Sequence, residues 1–274
     1  MLRSILLLVF STLYIFLFSQ TINTDRPGIS NSPLTLSKGQ FNLETGVFFE
    51  YTSYNRTIYP NYYNYGYPSE DVNEEKITGN FAFRLGLTDF IELRFLPSKY
   101  KINRFVKNLY QNDSYFEKIS GMAGMVTGFK VGIFNQSDKN FHLSVMPEIS
   151  LLPNSRTYFM FSVNAGYLIL DKFYVNTTVK AKDISFDLNV NPTLEIYKYT
   201  TTLCFNYKFS DKLTFFAEPY LNYQPFFDAY SSWFSDFGAL YLINPTWQVD
   251  LSFGYGENYS FINIGMSKLF LSKD

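Results

Sequence analysis

Apolar residues recur at every second position in about twelve segments of this chain, and that period is what most limits its fold. Over 77–87, Ile77, Phe81, Phe83, Leu85 and Leu87 alternate with Thr78, Asn80, Ala82, Arg84 and Gly86. Residues 141–151 repeat the pattern, with Phe141, Leu143, Val145, Ile149 and Leu151 set against His142, Ser144, Glu148 and Ser150. Near the end, Val249, Leu251, Phe253 and Tyr255 alternate with Gln248, Asp250, Ser252 and Gly254. Successive side chains of a strand point to opposite faces, so each segment has one oily face and one wet face. The segments lie near 40–52, 74–87, 89–101, 119–134, 141–152, 158–170, 173–186, 193–209, 213–226, 236–246, 248–256 and 260–270.

The solvent on the oily side follows from composition. Aromatic residues make up 20% of the chain, with 23 Tyr and 30 Phe, yet the mean hydropathy is only −0.09. Beyond the N-terminus no run approaches the ~18 apolar residues of a membrane helix. Strands with an aromatic outer face and a polar inner face satisfy both facts. The connections point the same way. Thr88-Asp89, the run 135–140, Asp171-Lys172, 210–212 and 244–246 are tight and polar, while the alternate connections include 52–73, 101–117 and 224–236. Short turns on the periplasmic side and long loops outside are the habit of outer-membrane barrels. An open sheet edge in lipid would leave its N–H and C=O groups without partners, so the sheet must close. The expected fold is an all-β, transmembrane, antiparallel up-and-down β-barrel of about 12 strands, outer-membrane type. Phe49 with Tyr51, Tyr207 with Phe209, and Trp247 fall where interfacial aromatic belts belong.

Three parts follow in sequence. Residues 1–19 have one arginine, an apolar run and then small or polar residues, the order of a secretory signal peptide cut after Ser19. The run also has the ~17 residues of a short transmembrane helix; the signal is the preferred reading. Residues 20–39 form a polar arm punctuated by Pro27 and Pro33, on the periplasmic side and able to act as a plug. The barrel occupies 40–274. The expected location is the outer membrane, with outer-membrane lipid around the barrel and a small-molecule solute as partner.

Other classes of function find little support. A net charge of −1 without basic runs gives no surface for nucleic acid. The lone Cys204 excludes a disulfide framework and a cysteine metal cluster, and no metal or cofactor is expected. His142, the only histidine, reads as a hydrogen-bonding residue inside the barrel. The Tyr-rich stretch 59–68 suits either stacking of a sugar or aromatic ligand or a loop folded over the barrel mouth. No nucleophile and base stand at a defensible spacing, since Ser144 and His142 are two apart on one strand; no catalytic residue is assigned.

Parity sorts the charges. With the apolar face toward lipid, Glu44, Arg84, Glu92, Arg94, Lys130, Glu148, Lys180, Lys198, Glu218 and Asp250 point inward. A lysine or arginine facing lipid at the midplane would cost about 2–4 kcal/mol. Arg84, Glu92 and Arg94 are expected to form one cluster. In the arm, Arg26 is placed to pair with Glu44 or Asp250, and Asp25 with an inward lysine. Such a network can fill a closed lumen or line a selective pore.

The opening TDRPG…SP…L…KGQFNLETG, the hairpin GLTDFIELRF and the late NPTWQVDLSFGYG resemble the MetA-pathway phenol-degradation family of outer-membrane proteins from Gram-negative bacteria. The resemblance covers both ends and one early hairpin. It implies an outer-membrane β-barrel that passes small compounds, hydrophobic or aromatic ones included, and it carries over no catalytic residues. A channel or transporter is therefore the expected function. A closed-lumen structural or ligand-binding barrel is the alternative, and an outer-membrane hydrolase stands third.

Overall fold

Phe, Tyr, Val, Ile and Thr fill the alternating segments, and ringed or branched side chains pack well on a pleated surface. The computed structural model describes residues 25, 29–57, 69–108, 113–134, 140–152, 157–187, 193–224 and 230–271. The signal-like residues 1–19, Arg26 and the Tyr-rich 59–68 lie outside them. Twelve strands follow one another: β1 (Phe41–Thr57), β2 (Ser69–Thr88), β3 (Ile91–Asn108), β4 (Asp113–Gly132), β5 (Phe141–Leu151), β6 (Thr157–Leu170), β7 (Phe173–Asp187), β8 (Thr193–Lys208), β9 (Leu213–Gln224), β10 (Tyr230–Asn244), β11 (Trp247–Gly256) and β12 (Tyr259–Phe270). Each pairs antiparallel with its sequence neighbours. β1 also pairs with β12, from Phe41↔Phe270 to Thr52↔Tyr259, and this closes the barrel.

Burial is inverted relative to a water-soluble protein. Arg84, Glu92 and Lys130 are fully buried, while the neighbouring Leu85 is 37% exposed and Phe129 46%. Phe49, Phe81, Ile264 and Phe253 likewise stand on the outside. A hydrocarbon surround makes this arrangement favourable, because it solvates the rings and excludes the charges.

The strands run further than alternation alone indicates. Parts of 52–73, 101–117 and 224–236, expected as loops, belong to β1–β4 and β10. Above the lipid band the outer face no longer meets hydrocarbon and exposes Asp71, Lys107 and Ser114, so the oily period fades although pairing continues, as in Glu74↔Arg104 and Arg104↔Glu117. Sorting of the connections by length is also only partial: β11 and β12 are joined at the far end by the two-residue turn Glu257–Asn258, with Asn258 at φ 57°. One bulge shifts the phase of β4. The register slips between Ser98 and Lys99, opposite Met122 and Gly124. Gly124 has φ 126°, and a Cβ there would come within 2.9 Å of the Leu151 carbonyl oxygen, so glycine is required.

The turns at Asp89–Phe90, Asp171–Lys172 and Pro245–Thr246 share one end with the start of β1 and the end of β12. Barrels of this type keep that end in the periplasm. Cysteines introduced as Lys107→Cys and Ser114→Cys should therefore react with an impermeant maleimide on whole cells, and Asp89→Cys and Asp171→Cys only after lysis. Labelling of Asp89→Cys in intact cells would reverse the orientation.

Candidate functional site

The lumen is organised around a charge cluster on β1–β5 and β7. Hairpin pairing places Arg84 on β2 beside Glu44 on β1 and Glu92 on β3, all on the inward face. The Arg84 guanidinium donates to Glu92 through Nε and Nη2 at 2.7 and 2.8 Å, and through Nη1 to Glu44 at 2.7 Å. Arg94, two residues along β3, lies 3.3 Å from Glu92 and 3.5 Å from Glu148 on β5. Lys180 on β7 closes the series with Glu148 at 3.2 Å. The wall alone thus sets four cations, Arg84, Arg94, Lys130 and Lys180, against three carboxylates, Glu44, Glu92 and Glu148.

The missing carboxylate comes from the arm. Asp25 accepts from Lys130 Nζ at 2.7 and 2.9 Å and from Arg94, and stands 3.7 Å from Arg84 Nε. Burial opposes ionisation of Asp25, but the fields of Arg84, Arg94 and Lys130 outweigh it and hold the carboxyl well below the usual aspartate range. Lys130 also donates to the Ser32 carbonyl at 2.9 Å, and Ser32 N–H returns to Asp25 at 2.9 Å, so the arm folds back on itself here.

From that point the arm reaches the opposite wall. The Ile29 and Ser30 amides donate to the two Glu218 oxygens at 2.9 and 2.7 Å, and the Asn31 amide donates to Thr178 Oγ1 at 3.0 Å. On its return the Leu36 amide donates to Glu92 at 3.0 Å. Glu92 on β3 and Glu218 on β9 are six strands apart in a ring of twelve, so the arm spans the diameter. At the periplasmic mouth Leu36 packs with Leu242 and Leu269, and Gly39, at φ 76°, donates to the Gly86 carbonyl at 2.8 Å. The wall leaves room for this path. A Cβ at Gly86 would collide with the Ser37 carbonyl oxygen and stand 2.8 Å from that of Leu36.

The cluster thus unites Asp25, Glu44, Arg84, Glu92, Arg94, Lys130, Glu148 and Lys180. Glu218 acts apart as the clamp for the arm. Asp250 is buried on β11, outside the cluster, and Lys198 is half-buried on β8 across from Lys182. Glu44, one expected partner for Arg26, is engaged by Arg84. His142 is buried with Nδ1 lacking a hydrogen-bond partner among the described residues, and Cys204 is buried beside Ser30. Among the described residues no group of three or more metal-ligating side chains assembles.

Toward the exterior, one pleat above Glu218, the lumen wall turns aromatic. Tyr220 stacks on Phe234 at 5.1 Å, Phe234 meets Tyr259 edge-on at 5.6 Å, and Tyr259 continues to Phe261 at 5.8 Å. Phe48 ends the strip, stacked on Phe261 at 4.5 Å. Gly254 and Gly256 lie beneath the rings of Phe261 and Phe234, where any Cβ would collide with them.

The family model described as "Putative MetA-pathway of phenol degradation" matches residues 24–260. The chain belongs to that family. The match begins at Thr24, so it includes the arm as well as most of the barrel. Three solved structures show the same fold at 10% identity. One is an outer membrane channel from Pseudomonas putida F1, covering 89% of this chain and 99% of its own with a TM-score of 0.53. The NanC porin covers 82% and 98% with a TM-score of 0.51. The transport unit of the autotransporter AIDA-I from Escherichia coli covers 86% and 91% with a TM-score of 0.51. A search of curated protein sequences returned no match.

The aromatic strip escaped the sequence reading, although parity could have found it. Phe48, Tyr220, Phe234 and Phe261 occupy the wet parity of strands whose oily parity is already aromatic.

Replacing Asp25 should loosen the arm without unfolding the barrel. Removing one partner of a buried ion pair costs about 3–5 kcal/mol, so Asp25→Asn should expose residues 29–37 to protease while heat-modifiable migration persists. Because its pKa is lowered, ionised Asp25 stabilises docking throughout the range above the ordinary aspartate value, and this contribution is lost only as pH falls through the lowered one. The share of arm protection that Asp25→Asn removes should therefore be the same at about pH 7 as at about pH 5.

Proposed function

We propose that this protein is an outer-membrane channel for small aromatic solutes whose lumen is closed by its own N-terminal arm. The aromatic strip carries the reading. Rings along one side of a polar lumen, with Tyr220 and Phe261 buried and Phe48, Phe234 and Tyr259 half-buried, offer stacked or edge-on contacts, each worth about 0.5–1.5 kcal/mol, to a flat solute. Contacts of that size retain a solute briefly and let it pass on, which is what conduction requires. The strip leads down to Glu218, where the arm is clamped, so the solute path and the obstruction meet. The family's phenol-degradation description agrees with an aromatic cargo.

The arm suits a gate better than a filler. It is held mainly by polar contacts, with Leu36 as its anchor in the small apolar cluster. Polar contacts of this kind can be exchanged for water at modest net cost once the segment moves. The competing reading, a closed barrel that binds a ligand without passing it, draws on the same diameter-spanning path.

Deletion of residues 21–37 separates the two. The shortened protein should fold with unchanged heat-modifiability and show higher single-channel conductance in planar bilayers. In proteoliposomes it should admit benzoate, and Phe234→Ala with Phe261→Ala should slow benzoate more than arabinose. Unchanged conductance in a correctly folded barrel would exclude the gate and leave the closed-lumen reading.

A further inference from the structure

The outward face of the β2–β3–β4 wall changes chemistry in steps toward the cell exterior. Its lower part belongs to the lipid-facing surface, with Phe81, Phe95 and Met122 exposed. Next comes Lys99, aligned with Gly79 on β2 and Met122 on β4, and then Lys101, aligned with Ile77 and Ser120. Lys118 follows on β4 beside Asn103, and the exposed pair Phe105 and Phe116 lies above it. The bulge at Ser98/Lys99 shifts the phase of β4 and brings Met122, Lys118 and Phe116 to this face. Arg104 points inward between Glu74 and Glu117, at 2.8 and 3.0 Å, which turns Lys99, Lys101 and Lys118 outward.

We propose that this face binds the phosphorylated glycolipid of the outer leaflet. The acyl chains would lie on the apolar surface beside Gly79, the phosphates on Lys99, Lys101 and Lys118, and the sugars against Phe105 and Phe116. Three observations support it. The lysines are exposed, and none has a carboxylate within ion-pair distance among the described residues; Glu75, the outward acid nearby, aligns with Asn103. Lys99 and Lys101 are two residues apart on one strand, about 7 Å, and Lys118 is diagonal to Lys101, about 7–8 Å. Like charges so placed repel unless an anion sits between them, and at this height a lipid headgroup phosphate is the matching anion. Finally, Gly79 leaves open space on the outer wall beside Lys99: no atom lies within 4 Å of the place its Cβ would take. Elsewhere at this level the exposed outward residues include Tyr51, Trp233 and Tyr255, an uncharged interfacial belt.

Native mass spectrometry of the full-length folded protein, titrated with rough-type lipopolysaccharide, tests the assignment. A stoichiometric adduct should form with the wild type. The Lys99→Gln/Lys101→Gln/Lys118→Gln variant should bind roughly 100-fold more weakly, each lysine contributing near 1 kcal/mol, while the three Lys→Arg changes should retain binding. Enzymatically dephosphorylated glycolipid should not be retained. Equal retention by the Gln variant would overturn the proposal, and so would equal adducts with phosphatidylglycerol, which would mark a generic anionic surface. If the triple Gln variant fails its heat-modifiability check, Lys118→Gln alone decides: a severalfold loss supports the site and unchanged binding overturns it.

Discussion

Everything in the lumen depends on the placement of one carboxylate. Without Asp25, the wall would bury Arg84, Arg94 and Lys130, with the half-buried Lys180 beside them, against Glu44, Glu92 and Glu148. A buried charge lacking its partner is far more expensive than an intact pair is beneficial. Asp25 supplies the partner and, with it, the direction of the arm. Once it is seated, Ser32 and Leu36 fall within reach of Lys130 and Glu92, and Ile29 and Ser30 within reach of Glu218. The electrostatic deficit of the wall and the path of the arm are two aspects of one arrangement.

The bilayer explains why such a network exists at all. Lipid forces apolar side chains outward, and the alternation of the strand then sends every second residue into the lumen. Twelve strands enclose more interior than side chains of the wall alone can fill, in contrast to the smallest barrels. The polar inner face can be satisfied by water, by itself or by another piece of chain. Here the first wall, β1–β5, pairs with itself and with Asp25, the far wall clamps the arm through Glu218, and the upper β9–β12 wall presents rings. These separate tasks for separate arcs of one sheet give a channel reading a physical basis that a uniformly packed interior would lack.

Much of this was legible in sequence because bilayer physics writes itself at period two. The strand count, the closure and the inward facing of Arg84, Glu92 and Arg94 all follow from it, and the structure shows those three in mutual contact. Three features were hidden for identifiable reasons. The outer face of the upper strands stands above the hydrocarbon, so Tyr54, Asp71 and Lys107 read as loop. The bulge near Gly124 shifts the phase of β4, so its upper half no longer matches its lower half. Phe48 and Phe261 stand on the wet parity of their strands, but the rule that apolar means outward does not anticipate rings on the inner face. The clamp at Glu218 could not be found by any pattern, since it binds backbone amides nearly 190 positions earlier in the chain.

The central claim, that the arm lies across the lumen from Asp25 to Glu218, can be tested by a single substitution. Ser30 sits against Cys204, the only cysteine in the chain. In Ser30→Cys, mild oxidation of the folded protein followed by denaturation and thiol counting should reveal no free thiol, with both recovered on reduction. Two free thiols in a correctly folded barrel would place the arm elsewhere and contradict the account.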